Sequence, residues 1–525
     1  MGCAGSVSRV TVVARRALVI ALAMFILAIV SGQRQSEAAG NTCTWTNGAA
    51  DNLWNNASNW SGCVGNVPGI GAGVADTAQF NGTSTANVTI DAAVNLAAFN
   101  INAGYSGQIT AAATVITSGF TQAAGTYNGS NQNLDVNGAI NVQTGTTFTA
   151  PSTTLTVSAG FTVNSGATFS HNSGTITFDG STSGTLNCGS QTFNLITFAH
   201  TGGAKTVNSN CTFPMGAGPT ATQSVVLVGT LSGSGTLTFT AGTFTLDAGY
   251  SLSGFGGLVT NNLTVSGATA NFGSYSPFDV NGTLTMQGSA AFTAPSGTMT
   301  LGGALTIAAA STFTHNSGTV TFDGSTATLS CNSQTFNAVN VVPVSGIKTV
   351  GSDCTLPIGA SPTIGSGGGD VTLNGTLSGS GAITAGQNFT INSTGVLSSF
   401  GGLTVNNTFT QSGGTQNFGS YSPFTVNIFS LDSSAVFTAP SGTLIVKRNF
   451  TITSSTYTHN GGTLELSITN SDSSISCNNQ TFNLVTITAT SRTKTRQTPR
   501  AADDQAATGT RGTGRKSPAT TECTV

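Results

Sequence analysis

The chain repeats itself. Phe-Thr-Ala-Pro-Ser occurs at 148–152, 292–296 and 437–441. His-Asn-Ser-Gly-Thr at 171–175 returns at 315–319 and, as His-Asn-Gly-Gly-Thr, at 459–463. Gln-Thr-Phe-Asn occupies 191–194, 334–337 and 480–483, and Phe-Gly-Ser-Tyr-Ser-Pro-Phe occupies 272–278 and 418–424. All the offsets lie between 143 and 146 residues. A unit of about 144 residues is therefore used twice in full, at 127–270 and 271–416, and once in part, at 417–495. A looser, non-repeated head occupies 40–126.

Inside each unit, short stretches such as Thr-Leu-Thr-Met at 283–286, Thr-Met-Thr-Leu at 298–301 and Thr-Val-Thr-Phe at 319–322 recur every 20 or so residues. Each alternates an apolar residue with Thr, which gives a strand with one buried and one solvated face. Gly, Ser and Asn punctuate them as turns. Dividing the unit by about 21 residues gives roughly seven rungs, the coil size of a solenoid. The expected fold is all-β: a right-handed parallel β-helix (β-solenoid) of about 18 rungs, one elongated domain, with stacked Phe, Leu, Val and Ile inside. At 4.8 Å per rung it would be about 85 to 90 Å long.

Composition narrows the function. Only 32 of 525 residues are charged. Nucleic acid is excluded as a partner, because neutralising phosphates takes a field of Lys and Arg. A long helical protein and a highly charged disordered chain are excluded as well. The repeated body, 39–491, holds 4 basic and 13 acidic residues.

At the N-terminus, Arg9, Arg15 and Arg16 precede an apolar run at 17–30, and small residues follow at Ala38 and Gly40. This is the layout of a cleaved export signal over 1–39. The run is short of the roughly 20 residues of a membrane span, so none is expected in the mature chain. An exported chain permits disulfides. Cys188 and Cys211 are 23 apart, as are Cys331 and Cys354, while Cys43 and Cys63 are 20 apart. A spacing of one coil stacks two residues on adjacent rungs, within disulfide reach, so these three pairs are expected to bond.

The register of the third copy holds as far as Lys494-Thr495 and then stops. From Arg492 onward there are 7 basic and 3 acidic residues, and no Phe, Ile, Leu, Tyr or Trp follows Thr495. Residues 496–525 are expected to be an unpacked basic tail, the product of a shifted or truncated frame. Cys477 would then lack its partner, because position 500 is Arg500.

All three Trp lie in the head, at Trp45, Trp54 and Trp60, the last preceded by Asn59. This Trp-x(8)-Trp-x(4)-Asn-Trp opening resembles that of large exported bacterial surface proteins with autotransporter- or haemagglutinin-type parallel β-helix repeats. The resemblance covers about 43–110 and implies a secreted or surface-attached solenoid, here without the C-terminal membrane barrel of an autotransporter. Two roles are open to the Trp cluster: a cap over the first rung, held by Cys43 and Cys63, or an aromatic platform contacting glycans.

Catalytic chemistry finds little support. Lys205 and Lys348 are repeat equivalents, as are His171, His315 and His459. Equivalents about seven rungs apart lie roughly 34 Å apart and cannot converge on one substrate or metal. The His residues, and Asp135, Asp179, Asp279 and Asp323, read as turn residues. No GxSxG, Walker or HExxH pattern occurs. The expectation is an exported structural or adhesive cell-surface protein without catalytic activity, cofactor or metal, whose partners are surface glycans or other surface proteins. The alternative is a carbohydrate-binding or polysaccharide-processing β-helix. A third idea, binding to ice or a surface layer, needs aligned Thr over many rungs.

Overall fold

The computed structural model describes residues 40–63, 67–71, 75–468 and 473–489. The export signal and the basic tail expected from the sequence lie outside the described residues. The described residues are all-β, 52% of them in strands and 1% in helix, and coil as a parallel β-solenoid of about 19 turns. These residues divide into two compact units, 40–155 with 166–168, and 156–165 with 169–489.

In the first unit each coil contributes three short strands, and each strand stacks on its counterpart one coil away. Thr77–Phe80, Ala98–Ile101, Phe120–Gln122 and Ile140–Val142 form one face. Val88–Ile90, Gln108–Ala111, Thr126–Asn128 and Thr147–Thr149 form the second. Val94–Leu96, Val115–Thr117 and Leu134–Val136 form the third. Phe99 pairs with Phe120 and Phe120 with Ile140, steps of 21 and 20 residues. Alternation turns every second residue inward, so Phe99, Phe120, Tyr127 and Phe148 are buried while their strand neighbours Thr121, Thr126, Thr147 and Thr149 are half-buried.

The second unit stacks in the same way. One inward column runs from Leu263 through Leu284, Leu305, Leu329, Val350 and Leu373 to Ile391. Other columns stack rings: Phe292 lies on Phe313 with centroids 5.7 Å apart, and, on a different face, Phe429 on Phe450 at 5.0 Å. Burying one such side chain contributes about 1.5–3 kcal/mol, so a column of coils supplies a continuous core that no single coil could hold.

The repeated motifs are the corner chemistry of this coil. In His-Asn-Ser-Gly, the Nδ1 of His171 accepts from the N–H of Ser173, with Asn172 and Ser173 at φ 48° and 58°. His315 and His459 accept in the same way from Ser317 and Gly461. In Gln-Thr-Phe-Asn, Gln334 Oε1 accepts from the N–H of Phe313 at 2.9 Å, and Asn337 Nδ2 donates to the carbonyl of Ser317 at 2.8 Å. Gln480 and Asn483 repeat this on Tyr457 and Gly461. The motif thus staples one coil to the preceding one, with its Phe buried between the two amides.

Cys43–Cys63, Cys188–Cys211 and Cys331–Cys354 are disulfides, each with Cα atoms 5.0 Å apart. Cys477, expected to lack a partner, is also disulfide-bonded.

Candidate functional site

The Trp-rich head folds inward. Thr42–Trp45 pairs antiparallel with Trp60–Ser61, against the parallel ladders seen elsewhere among the described residues, and parallel with Thr77–Phe80. Trp45 and Trp54 have no exposed surface and Trp60 is 7% exposed. Trp60 packs edge-on against Trp45 at 5.1 Å and Trp54 at 4.6 Å, and all three rings touch Phe80. The indole of Trp54 donates to the carbonyl of Pro68 and that of Trp60 to the carbonyl of Trp54. The reading of Trp45, Trp54 and Trp60 as a glycan platform is therefore corrected. Stacking on a sugar needs an exposed ring face, and these faces are spent on one another and on the first Phe of the core. Asn59 anchors the cap: it is fully buried, donates to the carbonyl of Leu53 and the carboxylate of Asp51, and accepts from the N–H of Ala49. Hydrogen bonds from the N–H of Leu53 and from Asn56 and Asn59 hold the Asp51 carboxyl below its usual range. Cys43, Cys63 and Asp76 lie close together, but the two sulfurs are bonded to each other and offer no thiolate to a metal.

The repeat-equivalent cations are buried, not exposed. Lys205 has no solvent-accessible surface; its ammonium donates to the carbonyls of Ser158 at 2.6 Å and Thr182 at 2.8 Å. Lys348, also fully buried, donates to the carbonyls of Gly302 and Gly303. Burial lowers both ammonium pKa values, opposed by Asp179 and Asp323 respectively. Asp179 accepts from the hydroxyl of Ser158 one coil away, so it links coils as well as closing a turn. His200 is buried beside Lys205, its Nε2 facing the carbonyl of Ser224 at 2.9 Å. Burial lowers its pKa, and Lys205 adds to that. Sequence reasoning found none of these buried roles; a charge surviving in both copies of a nearly uncharged body was the available signal.

Outward-facing hydroxyls align. From Thr349 the register runs through Thr372, Thr390 and Thr410 to Ser430 and Thr451, one hydroxyl per coil. The preceding copy has Thr206, then Val226 as a break, then Thr245, Thr264, Thr285 and Thr306. Two surface clefts flank such strands. One of about 490 Å³ is lined by residues 190–193, 209, 210, 212, 214 and 232. The other, of about 370 Å³, lies between Ala338–Val341 and the strand ends at Ile358 and Thr363–Ile364. No charged side chain lines either cleft.

Among the described residues no helix is long and apolar enough to cross a membrane. Set against known protein families, curated proteins and solved structures, the chain matches none.

Proposed function

We propose that the chain is an exported structural or adhesive cell-surface protein without catalytic activity, of the kind its Trp-rich opening resembles: the autotransporter- or haemagglutinin-type surface solenoids. The observation that carries this reading is the pairing of a disulfide-tethered coil with an outer face of registered, uncharged hydroxyls. Disulfides persist in oxidising surroundings outside the cytosol. A repeated neutral face engages a partner through many weak contacts, and multivalency turns these into avidity. Surface glycans and other surface proteins are the partners such a face suits.

The test is labelling of intact producing cells with an antibody raised against the solenoid, together with retention of those cells on a surface with and without the gene. The reading expects label on unbroken cells and weaker retention when the gene is deleted. Label that appears only after lysis would overturn it.

A further inference from the structure

The larger cleft is built like a binding site for a neutral sugar. One wall is the turn after Cys188, with Ser190, Gln191 and the ring of Phe193. The other is the segment around Cys211, with Ser209, Asn210 and Thr212. Cys188–Cys211 ties the two wall segments together, with the cysteine Cα atoms 5.0 Å apart. The floor is Phe193, 8% exposed and held edge-on by Phe213 at 5.2 Å. Beyond it, a break in register after Pro214, where that strand pairs with the next coil, opens the cleft toward Ser232.

The two amides are already committed. Gln191 Oε1 accepts from the N–H of Phe169, and Asn210 Oδ1 accepts from the N–H of Cys188. The hydroxyls are not: those of Ser190, Ser209, Thr212 and Ser232 bond to no described residue. The cleft therefore offers several free donor–acceptor groups, a small apolar floor, no charge and a prearranged shape. The uncharged lining selects against phosphate, carboxylate and metal ions, and the small apolar area against lipid. A pyranose, with hydroxyls around its rim, matches a neutral lining of unpaired hydroxyls.

The second copy carries the same residues. Ser333, Gln334 and Phe336 follow Cys331; Ser352, Thr355 and Pro357 surround Cys354; and Ser378 stands for Ser232. Ser190 and Ser333 share the left-handed conformation, at φ 60° and 55°, and a register break follows Pro357 as one follows Pro214. Two of the residues named for the first cleft differ: Leu356 stands for Phe213, and Asp353 stands for Asn210, its carboxylate accepting from the hydroxyl of Ser330 and the N–H of Asn332.

We infer that the cleft beside Cys188–Cys211 binds sugar units of a neutral polysaccharide, and that the equivalent residues beside Cys331–Cys354 supply a second, weaker contact for the same polymer. The inference rests on the adhesive reading and names its partner. The test is affinity electrophoresis of the full mature chain in gels containing a soluble β-glucan, a mannan, a galactan or, as the acidic comparison, polygalacturonate. At least one neutral polymer is expected to retard the chain, polygalacturonate is not, and high salt leaves the retardation unchanged. The triple variant Ser190→Ala, Ser209→Ala, Thr212→Val removes exposed hydroxyls only and should keep the thermal midpoint while binding about tenfold more weakly. Adding Ser333→Ala, Ser352→Ala and Thr355→Val should abolish retardation. If no neutral polymer retards the wild type, or if the six-site variant is retarded like the wild type, the inference fails. Cell retention that depends on the gene would still leave the adhesive reading standing.

Discussion

A lysine with no exposed surface is costly unless its ammonium is occupied, and in both copies backbone carbonyls occupy it. Lys348→Met keeps the volume but leaves the carbonyls of Gly302 and Gly303 without this donor. Urea unfolding is expected to show a loss of about 1–3 kcal/mol. The same residues shape the alkaline response. Burial lowers the ammonium pKa of Lys205 and Lys348, so the folded chain releases these protons before the unfolded one does. The penalty for burying their charge therefore lifts as pH rises toward 10.5. Burial pushes Tyr250 and Tyr421 up to about 12, so their contribution is intact below pH 10 and drains away between 10 and 12. Thermal midpoints measured across pH should hold or rise up to about pH 10 and then fall. A steady decline beginning near neutrality would contradict these assignments.

At the scale of the element, the unit is a pair of adjacent coils and what ties them. Cys188–Cys211 and Cys331–Cys354 each close a loop of 23 residues. Replacing Cys188 and Cys211 together by Ser should cost about 2–4 kcal/mol. The effect should be local: amide exchange should accelerate in the coils around 188–211 and stay slow around 331–354. This is also the scale at which the sequence was most legible. Alternating Thr and apolar residues revealed strands, and a spacing of one coil paired the cysteines, because a parallel stack converts sequence period directly into contact. The corner motifs were visible as repeats, yet their work was not. Gln334 reaches the N–H of Phe313, a bond between coils that no local pattern encodes. The cleft is harder still, since residues 190–193, 209–214 and 232 come from three successive turns and carry only common turn residues. The Trp cluster read first as a cap over the first rung and second as a glycan platform, and the packing of Trp60 between Trp45 and Trp54 is that of a cap.

At the scale of the whole chain, the 32 charges are unevenly placed: 4 basic and 13 acidic residues serve the body from 39 to 491. Most of the exterior must therefore stay soluble through Thr, Ser and Asn, and those side chains are set in rows by the coil. The solenoid stands on that register, and cross-linking tests it most directly. Thr285 and Thr306 are register partners on adjacent coils, while Ser330 lies one coil further on. Parallel neighbours stand about 4.8 Å apart, inside disulfide range, and next-nearest neighbours at about twice that are outside it. Thr285→Cys with Thr306→Cys should cross-link under mild oxidation, and Thr285→Cys with Ser330→Cys should not. Equal cross-linking of both pairs, or of the second alone, would contradict the solenoid.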